Sequence, residues 1–414
     1  MAPVTPPLLR NAFLENHMIE VDTILAGGPA DFSEPRRLVL SGSHQEIGRH
    51  LAAIAAERYG WQPEPVHDSA RVRVRKAWFA EHWPAHAARM RGAALACGLA
   101  YEDDTFDLGE VPYLMSLGAC SASWHPPRHT SDGRGRLSRN YDFSTGTLGE
   151  FIAAFAANGA SMSPAPPRAP GQLPMTARPY VIESYPDSGY ATLQVRSYDL
   201  LGGCLDGINS AGLAVALLAD LDAAGKTPTM ELQPGVNELE VPCYLLETCA
   251  NVDEALERLA RLEHYVATLP CHFVIADRTG ASVVWEPFAA KGATTISGNG
   301  KPQVVTNHEL ARFPSVVDLP DEAGHGLTYQ RMRALTERIG DRALTTVEIA
   351  DAAAAVRFPV ASEGMEVRTL WNSQYDVDAL TLDITFYLGD EGSTLRYSPV
   401  QTLQLDRSRA FSPA

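Results

Sequence analysis

No apolar run in the chain comes near the roughly 18 residues that a membrane span needs, so no transmembrane helix is expected. No basic start followed by an apolar stretch opens it, so no signal peptide is expected and the reading is cytoplasmic. Positive charge is short as well: 34 Lys and Arg face 50 Asp and Glu, for a net charge of −16. A surface of that sign repels phosphate backbones, which argues against a nucleic-acid partner. HExxH, paired CxxC and Walker lysine motifs are all missing, so no metal, nucleotide or redox cofactor is expected. His82 and His86 stand at i, i+4, but Pro84 between them argues against an uninterrupted helix. His125 and His129 bracket Pro126-Pro127 and read as loop residues. The six cysteines, at 97, 120, 204, 243, 249 and 271, have no paired spacing. They read as reduced thiols, mostly small buried hydrophobes.

What is present is a chain of 414 residues, 45% hydrophobic and 20% charged, ordinary values for a globular protein. Its first third reads as mostly helical. A strand-like run precedes the turn at Gly42-Ser43, and Ser43 with Glu46 forms a capping box that opens a helix. Residues 69–99 are rich in Ala and Arg at helical spacing and stop at Gly98. From Cys120 onward the character changes to short β-type runs, among them "RLSRNYDF", "YVIESY", "GLAVALLA", "HFVIADR", "ASVVWE", "PQVVTN" and "LTLDITFYL". Helical patterns intervene at 241–263 and 326–357. Strand groups separated by helices indicate an α+β protein. The Pro- and Ala-rich stretch 159–179 carries no core signal, and 297–302 is turn chemistry.

The residues that draw attention are Gly118-Ala119-Cys120 and, nineteen positions after the cysteine, Arg139-Asn140-Tyr141-Asp142. A thiol preceded by two small residues becomes a new N-terminus if the chain cuts itself there. It then carries its own base, an α-amine that titrates near neutrality. Arg139 supplies charge that favours a thiolate. Asp142 supplies an acceptor for the ammonium. In a strand, positions 139 and 142 face opposite ways. They serve one site only if the strand twists or ends there. Read blandly, Cys120 is a buried cysteine, and Arg139 and Asp142 are a surface ion pair.

"CSASW…SRNYDF" resembles the processing site and Arg-Asn-x-Asp motif of the N-terminal-nucleophile (Ntn) amide hydrolases. The branch is that of isopenicillin N acyltransferase, the acyl-CoA:6-aminopenicillanic acid acyltransferases, related to the choloylglycine hydrolases and penicillin V acylases. "LSGSHQEIGRHLA", "MRGAALACGLAYEDD", "GGCLDGINSAGLAVALL", "CHFVIADRTGASVVWE", "VVTNHEL", "TYQRMRAL" and "TLWNSQYDVDALTLDITFYLG" follow in family order across residues 38–390. The resemblance implies a four-layer αββα sandwich with a helical N-terminal pro-segment. It implies cleavage between Ala119 and Cys120 into residues 1–119 and a catalytic chain of residues 120–414, which stay associated. It also implies an oxyanion hole made by the Asn307 side chain and a backbone N–H near Leu218 or Ala219. The choloylglycine hydrolases carry an asparagine where this chain has Ala219. Arg331 matches a family arginine near the nucleophile, with Arg333 as the competing register. Asn209 fits a turn between strands.

The implied activity is hydrolysis of a small-molecule linear amide through an acyl-Cys120 intermediate, without a cofactor. Transfer of the acyl group to an amine is the alternative within the same chemistry. Outside it stand an uncleaved Cys-His hydrolase using His272 or His308, and a catalytically silent binding protein.

Overall fold

Along the strand Arg36–Gly42, Leu38 and Leu40 point to one side and Val39 to the other, and all three are buried. A strand buried on both faces needs a layer on each side. The computed structural model describes residues 19–66, 68–108, 119–147, 174, 176–197, 199–223, 233–267, 269–358 and 367–410. Gly118 and most of the stretch 159–179 lie outside the described residues.

In chain order the strands begin with β1 (Ile19–Ile24), β2 (Arg36–Gly42), β3 (Glu64–Pro65), β4 (Phe106–Asp107), β5 (Ala119–His125) and β6 (Arg136–Ser144). Next come β7 (Tyr180–Pro186), β8 (Thr192–Arg196), β9 (Asp206–Asn209), β10 (Leu213–Ala219), β11 (Cys271–Asp277) and β12 (Ser282–Glu286). The last six are β13 (Thr294–Ser297), β14 (Gln303–Val305), β15 (Val367–Asp376), β16 (Thr381–Glu391), β17 (Thr394–Tyr397) and β18 (Gln401–Gln404). A nine-stranded sheet runs β1-β2-β7-β8-β9-β10-β11-β12-β13. A seven-stranded sheet runs β14-β5-β6-β15-β16-β17, with β18 beside β16. The pair β3-β4 stands apart. All pairings within the two large sheets are antiparallel except β2 with β7.

One large core holds Leu193, Val215, Leu217 and Phe273 of the first sheet with Tyr141, Phe143, Trp371 and Phe386 of the second. A second cluster joins Leu38, Leu40, Tyr180 and Ile182 to helices α1 (His44–Tyr59) and α3 (Pro84–Ala96). Those two helices touch main chain to main chain. A Cβ on Gly92 would lie 1.8 Å from the Gln45 carbonyl oxygen, so only glycine fits. Helix α4 (Glu240–Thr248) packs on β9 and β10, and α5 (Val252–Leu259) on β11. Helices α6 (Thr328–Ile339) and α7 (Thr346–Ala354) pack on β14, β5 and β6 of the second sheet.

The capping box of Ser43 and Glu46 forms as expected. The helical pattern over 69–99 is two helices, α2 (Ser69–His82) and α3, and Pro84, which argued against an uninterrupted helix, takes the first turn of the second. The 241–263 and 326–357 patterns divide likewise into α4 and α5, and α6 and α7. Asn251 caps α5 and Gly340 ends α6. The first third contributes more than helices: β2 lies inside the nine-stranded sheet, parallel to β7. His125 is not a loop residue; it ends β5, fully buried, with its Nε2 2.9 Å from Ser123 Oγ. No described helix is long and apolar enough to cross a membrane. No group of three or more His, Cys, Asp or Glu suited to a metal occurs among the described residues.

Candidate active site

Cys120 is the second residue of β5 and lies opposite Tyr141 of β6. Residues directly opposite in an antiparallel pair share a face. Cys120, Tyr141 and Arg139 therefore look into the space between the sheets, while Ala119, Asn140 and Asp142 look toward α6 and α7. The expected conflict between positions 139 and 142 is real, and the fold uses both faces. β15 is bulged beside Asp142, between Thr369 and Trp371, which turns the strand pair at this point.

On the inter-sheet face, Arg139 Nη2 lies 3.3 Å from Cys120 Sγ and donates to the Leu217 carbonyl at 3.0 Å. Arg139 Nη1 donates to Asp206 Oδ2 at 2.7 Å, and the guanidinium lies 4.6 Å from the Tyr141 ring centre. On the helix face, Arg331 Nη1 donates to the Cys120 carbonyl at 2.8 Å and to Asp142 Oδ2 at 3.0 Å. Its Nη2 donates to Asn307 Oδ1 at 2.5 Å. Thr369 Oγ1 donates to Asp142 Oδ1. Between the faces, the Cys120 N–H donates to Asn307 Oδ1 at 2.8 Å, and Asn307 Nδ2 donates to the Ala219 carbonyl at 2.8 Å. The Asn307 main-chain N–H is held by Thr328 Oγ1. Every one of these side chains is buried, Arg139, Asp142 and Asn307 completely.

Burial sets the electrostatics. It pushes the Cys120 thiol up; Arg139 pulls it back, the Asp142 charge adds to the rise, and the Asp142 main-chain N–H opposes it. Burial also works against the Arg139 charge, yet Cys120 and Asp206 hold that guanidinium above its ordinary value. The Asp142 carboxyl is pushed up to about 6 by burial, with Arg331 and Thr369 opposing.

The sequence-derived set Cys120, Arg139, Asp142, Asn307 and Arg331 thus comes together in space, and Ala219 adjoins it. Two details differ from expectation. The nitrogen that cleavage would free is held by Asn307, not by Asp142, whose carboxylate is taken up by Arg331 and Thr369. At Ala219 the group in contact with Asn307 is the carbonyl. Arg333 points away, to the Leu319 and Pro320 carbonyls. Asn209 ends β9 and caps the turn into β10, its Oδ1 accepting from the Ala211 and Leu213 N–H groups. His308 Nδ1 lies 2.9 Å from Thr328 Oγ1, and burial pushes its ring down to about 4. Burial also opposes charge on His272, but Glu286 beside it raises the ring above its ordinary value. Among the described residues neither ring hydrogen-bonds the Cys120 thiol. Asp206 and Thr369 were not foreseen; Asp206 sits in the quoted "CLDGIN" motif without a partner visible in sequence.

The model of the acyl-coenzyme A:6-aminopenicillanic acid acyl-transferase family matches residues 129–340, about half of the chain. The chain belongs to that family. The match begins after Cys120 and takes in Arg139, Asp142, Ala219, Asn307 and Arg331. The resemblance read from motif order is thereby borne out. No curated protein matches the chain. Among solved structures, penicillin V acylase from Agrobacterium tumefaciens is similar at 16% identity and a TM-score of 0.41, over 64% of this chain and 82% of that one. A mutant conjugated bile acid hydrolase from Clostridium perfringens is similar at 14% identity and a TM-score of 0.41, over 72% and 99%. At these scores the likeness carries no argument about individual residues.

Proposed function

We propose that this family member is a self-processing N-terminal-cysteine enzyme that cleaves or transfers acyl groups of small linear amides through acyl-Cys120. Its two sheets, with helices on their outer sides, are read as the four-layer αββα sandwich of Ntn hydrolases. The observation that carries the reading is the environment of Cys120: a guanidinium nitrogen 3.3 Å from its sulfur and the Asn307 side chain on its main-chain N–H.

In the first reaction the Cys120 sulfur attacks the Ala119 carbonyl carbon. The Ala119–Cys120 C–N bond breaks, the thiol proton goes to the departing nitrogen, and a thioester remains. Water hydrolyses it, leaving a carboxylate on Ala119 and a free amine on Cys120. Asn307 Oδ1, already holding that nitrogen, keeps the amine beside the sulfur it serves as base. In turnover the sulfur attacks the substrate carbonyl while the amine carries its proton to the leaving nitrogen. Asn307 Nδ2 spends one N–H on Ala219 and has a second for the developing oxyanion. Arg331 fixes the Cys120 carbonyl, Asn307 and Asp142 in one fork, a geometry suited to guanidinium. Water as acceptor gives hydrolysis, and an amine gives transfer. The two chains stay together because β2 lies within the first sheet beside β7 and Arg89 of α3 pairs with Glu247 of α4.

The test is to incubate the protein with an activated acyl ester of a simple carboxylic acid, quench with acid and map the adduct by peptide mass. The acyl group is expected on Cys120 and on none of the other five cysteines. An adduct elsewhere, with turnover retained, overturns the assignment.

A further inference from the structure

Arg139 does not aim itself. It is fully buried, and its side chain crosses from the second sheet toward the first. Its Nη1 meets Asp206 Oδ2 of β9 at 2.7 Å, an ion pair between the two sheets with both partners fully buried. The other oxygen of that carboxylate is also occupied. Asp206 Oδ1 accepts from Ser373 Oγ at 2.9 Å and from Tyr375 Oη at 2.6 Å. Ser373 and Tyr375 stand two apart on β15, opposite Arg139 and Leu137 of β6, so they share the inter-sheet face with Arg139. A carboxylate held by three donors in fixed strands has one orientation. The guanidinium it pairs with is planar and rigid, so fixing Nη1 fixes where Nη2 points. Nη2 points at the Cys120 sulfur.

We infer that Asp206, held by Ser373 and Tyr375, is the positioning residue that aims Arg139 at the Cys120 thiol. The inference rests on Cys120 being the nucleophile. Asp206 touches neither the sulfur nor the peptide to be cut; it acts through Arg139. Its negative charge also partly offsets the cation, so the pair meets the sulfur as a dipole with its positive end forward. Losing Asp206 has two opposed consequences for the thiol: a less neutralised guanidinium lowers its titration midpoint, and a misaimed one raises it. The geometry makes aim the larger, because Nη2 is already in contact with sulfur and any swing of Nη1 breaks that contact.

Asp206→Asn removes the carboxylate charge and leaves one acceptor oxygen where Arg139, Ser373 and Tyr375 now share two. The Cys120 midpoint, read from the ultraviolet absorbance of the thiolate against a Cys120→Ala reference, is expected to rise by about one pH unit. Turnover of an amide substrate is expected to fall about tenfold or more in kcat, with KM within about twofold. Tyr375→Phe and Ser373→Ala each remove one donor; smaller losses, about two- to fivefold in kcat, with a midpoint shift of the same sign are expected. These two decide the matter if Asp206→Asn does not fold. A folded Asp206→Asn with an unchanged midpoint makes Asp206 merely structural, and a lowered midpoint makes it a charge regulator; either overturns the inference. The midpoint needs no substrate, and it is compared between proteins in the same cleavage state, verified by intact mass, so it is decided separately from the enzymatic reading. That reading fails instead if Cys120→Ala retains activity.

Discussion

Two cysteines in this protein have a guanidinium nitrogen 3.3 Å from their sulfur: Cys120, with Arg139, and Cys243, with Arg196. Both are buried, and both stand in dense ionic clusters. Around Cys243 the cluster is closed. Its thiol donates to Glu247 Oε1 at 3.3 Å, and Glu247 also accepts from Arg89 Nη1 at 2.5 Å and Trp83 Nε1 at 2.8 Å. Arg75 pairs with Glu240 at 2.7 Å. Burial, reinforced by the Glu247 charge, pushes the Cys243 thiol up to about 12. These pairs fasten α2 and α3 to α4. Around Cys120, Arg139 gives Nη1 to Asp206 and Nη2 to the sulfur, and Arg331 gives Nη1 to Asp142 and the Cys120 carbonyl and Nη2 to Asn307. Among the described residues the thiol accepts from Arg139 and gives its proton to no carboxylate. Burial and cationic neighbours do not separate the two thiols; the carboxylate that takes the Cys243 proton does.

The largest effect should separate the two cysteines outright. Cys120→Ala is expected to abolish both chain cleavage and amide turnover, whereas Cys243→Ala should keep cleavage and at least about half of the turnover. Gel mobility and steady-state rates on the two variants check this, and normal cleavage in Cys120→Ala would end the comparison.

Asn307→Ala comes next. Loss of one oxyanion donor costs about 10²-fold or more in kcat/KM, carried by kcat. The bond from the Cys120 N–H to Asn307 Oδ1 adds a second expectation, slower self-cleavage in the same variant, followed by timed mass spectrometry of fresh protein. An unchanged kcat/KM in folded, processed protein would remove Asn307 from the oxyanion hole.

Glu247→Ala should act on the other cluster alone. It leaves Arg89 buried without its carboxylate, a loss of about 3–5 kcal/mol of stability. Thermal unfolding should shift down accordingly, while kcat/KM measured well below the transition stays within about twofold.

The finest discrimination is by pH. Asp142 is pushed up to about 6, and Glu240 up to about 7 by burial against the pull of Arg75. Below about 6 Asp142 gains a proton and loses its charge opposite Arg331, so kcat/KM should fall on an acid limb near that value. Glu240→Gln should leave the limb in place. It should instead change stability: a carboxyl raised on folding contributes stability that is present below its unfolded value and lost as pH rises toward about 7. The melting temperature of the variant relative to the parent should therefore improve between about pH 5 and 7. An acid limb that moves with Glu240→Gln would place that carboxyl in the chemistry.

Much of this was legible in the sequence. Cys120, Arg139 and Asp142 stand out by residue type and spacing, and Asn307 and Arg331 by their place in the family-like motifs, so the members of the candidate site are legible in the sequence. Their wiring is not. Alternation along β6 says that Arg139 and Asp142 face apart, but not that a bulge at Thr369 and an arginine from α6 connect Asp142 to the Cys120 main chain. Asp206, Ser373 and Tyr375 were beyond reach because their meeting depends on how two sheets lie on each other, which no periodicity records. The helical spacing over 69–99 runs on across Pro84, yet that proline marks the break between α2 and α3. The parallel placement of β2 against β7 joins residues far apart in the chain, a long-range contact without a local signature.

Cys120 is expected to become the N-terminus of the working chain. N-terminal sequencing and intact mass of protein whose amide turnover has been measured test it directly. The account predicts two co-purifying chains, residues 1–119 and residues 120–414, the second beginning at Cys-Ser-Ala-Ser-Trp. A fully active protein with Cys120 still joined to Ala119 would contradict it.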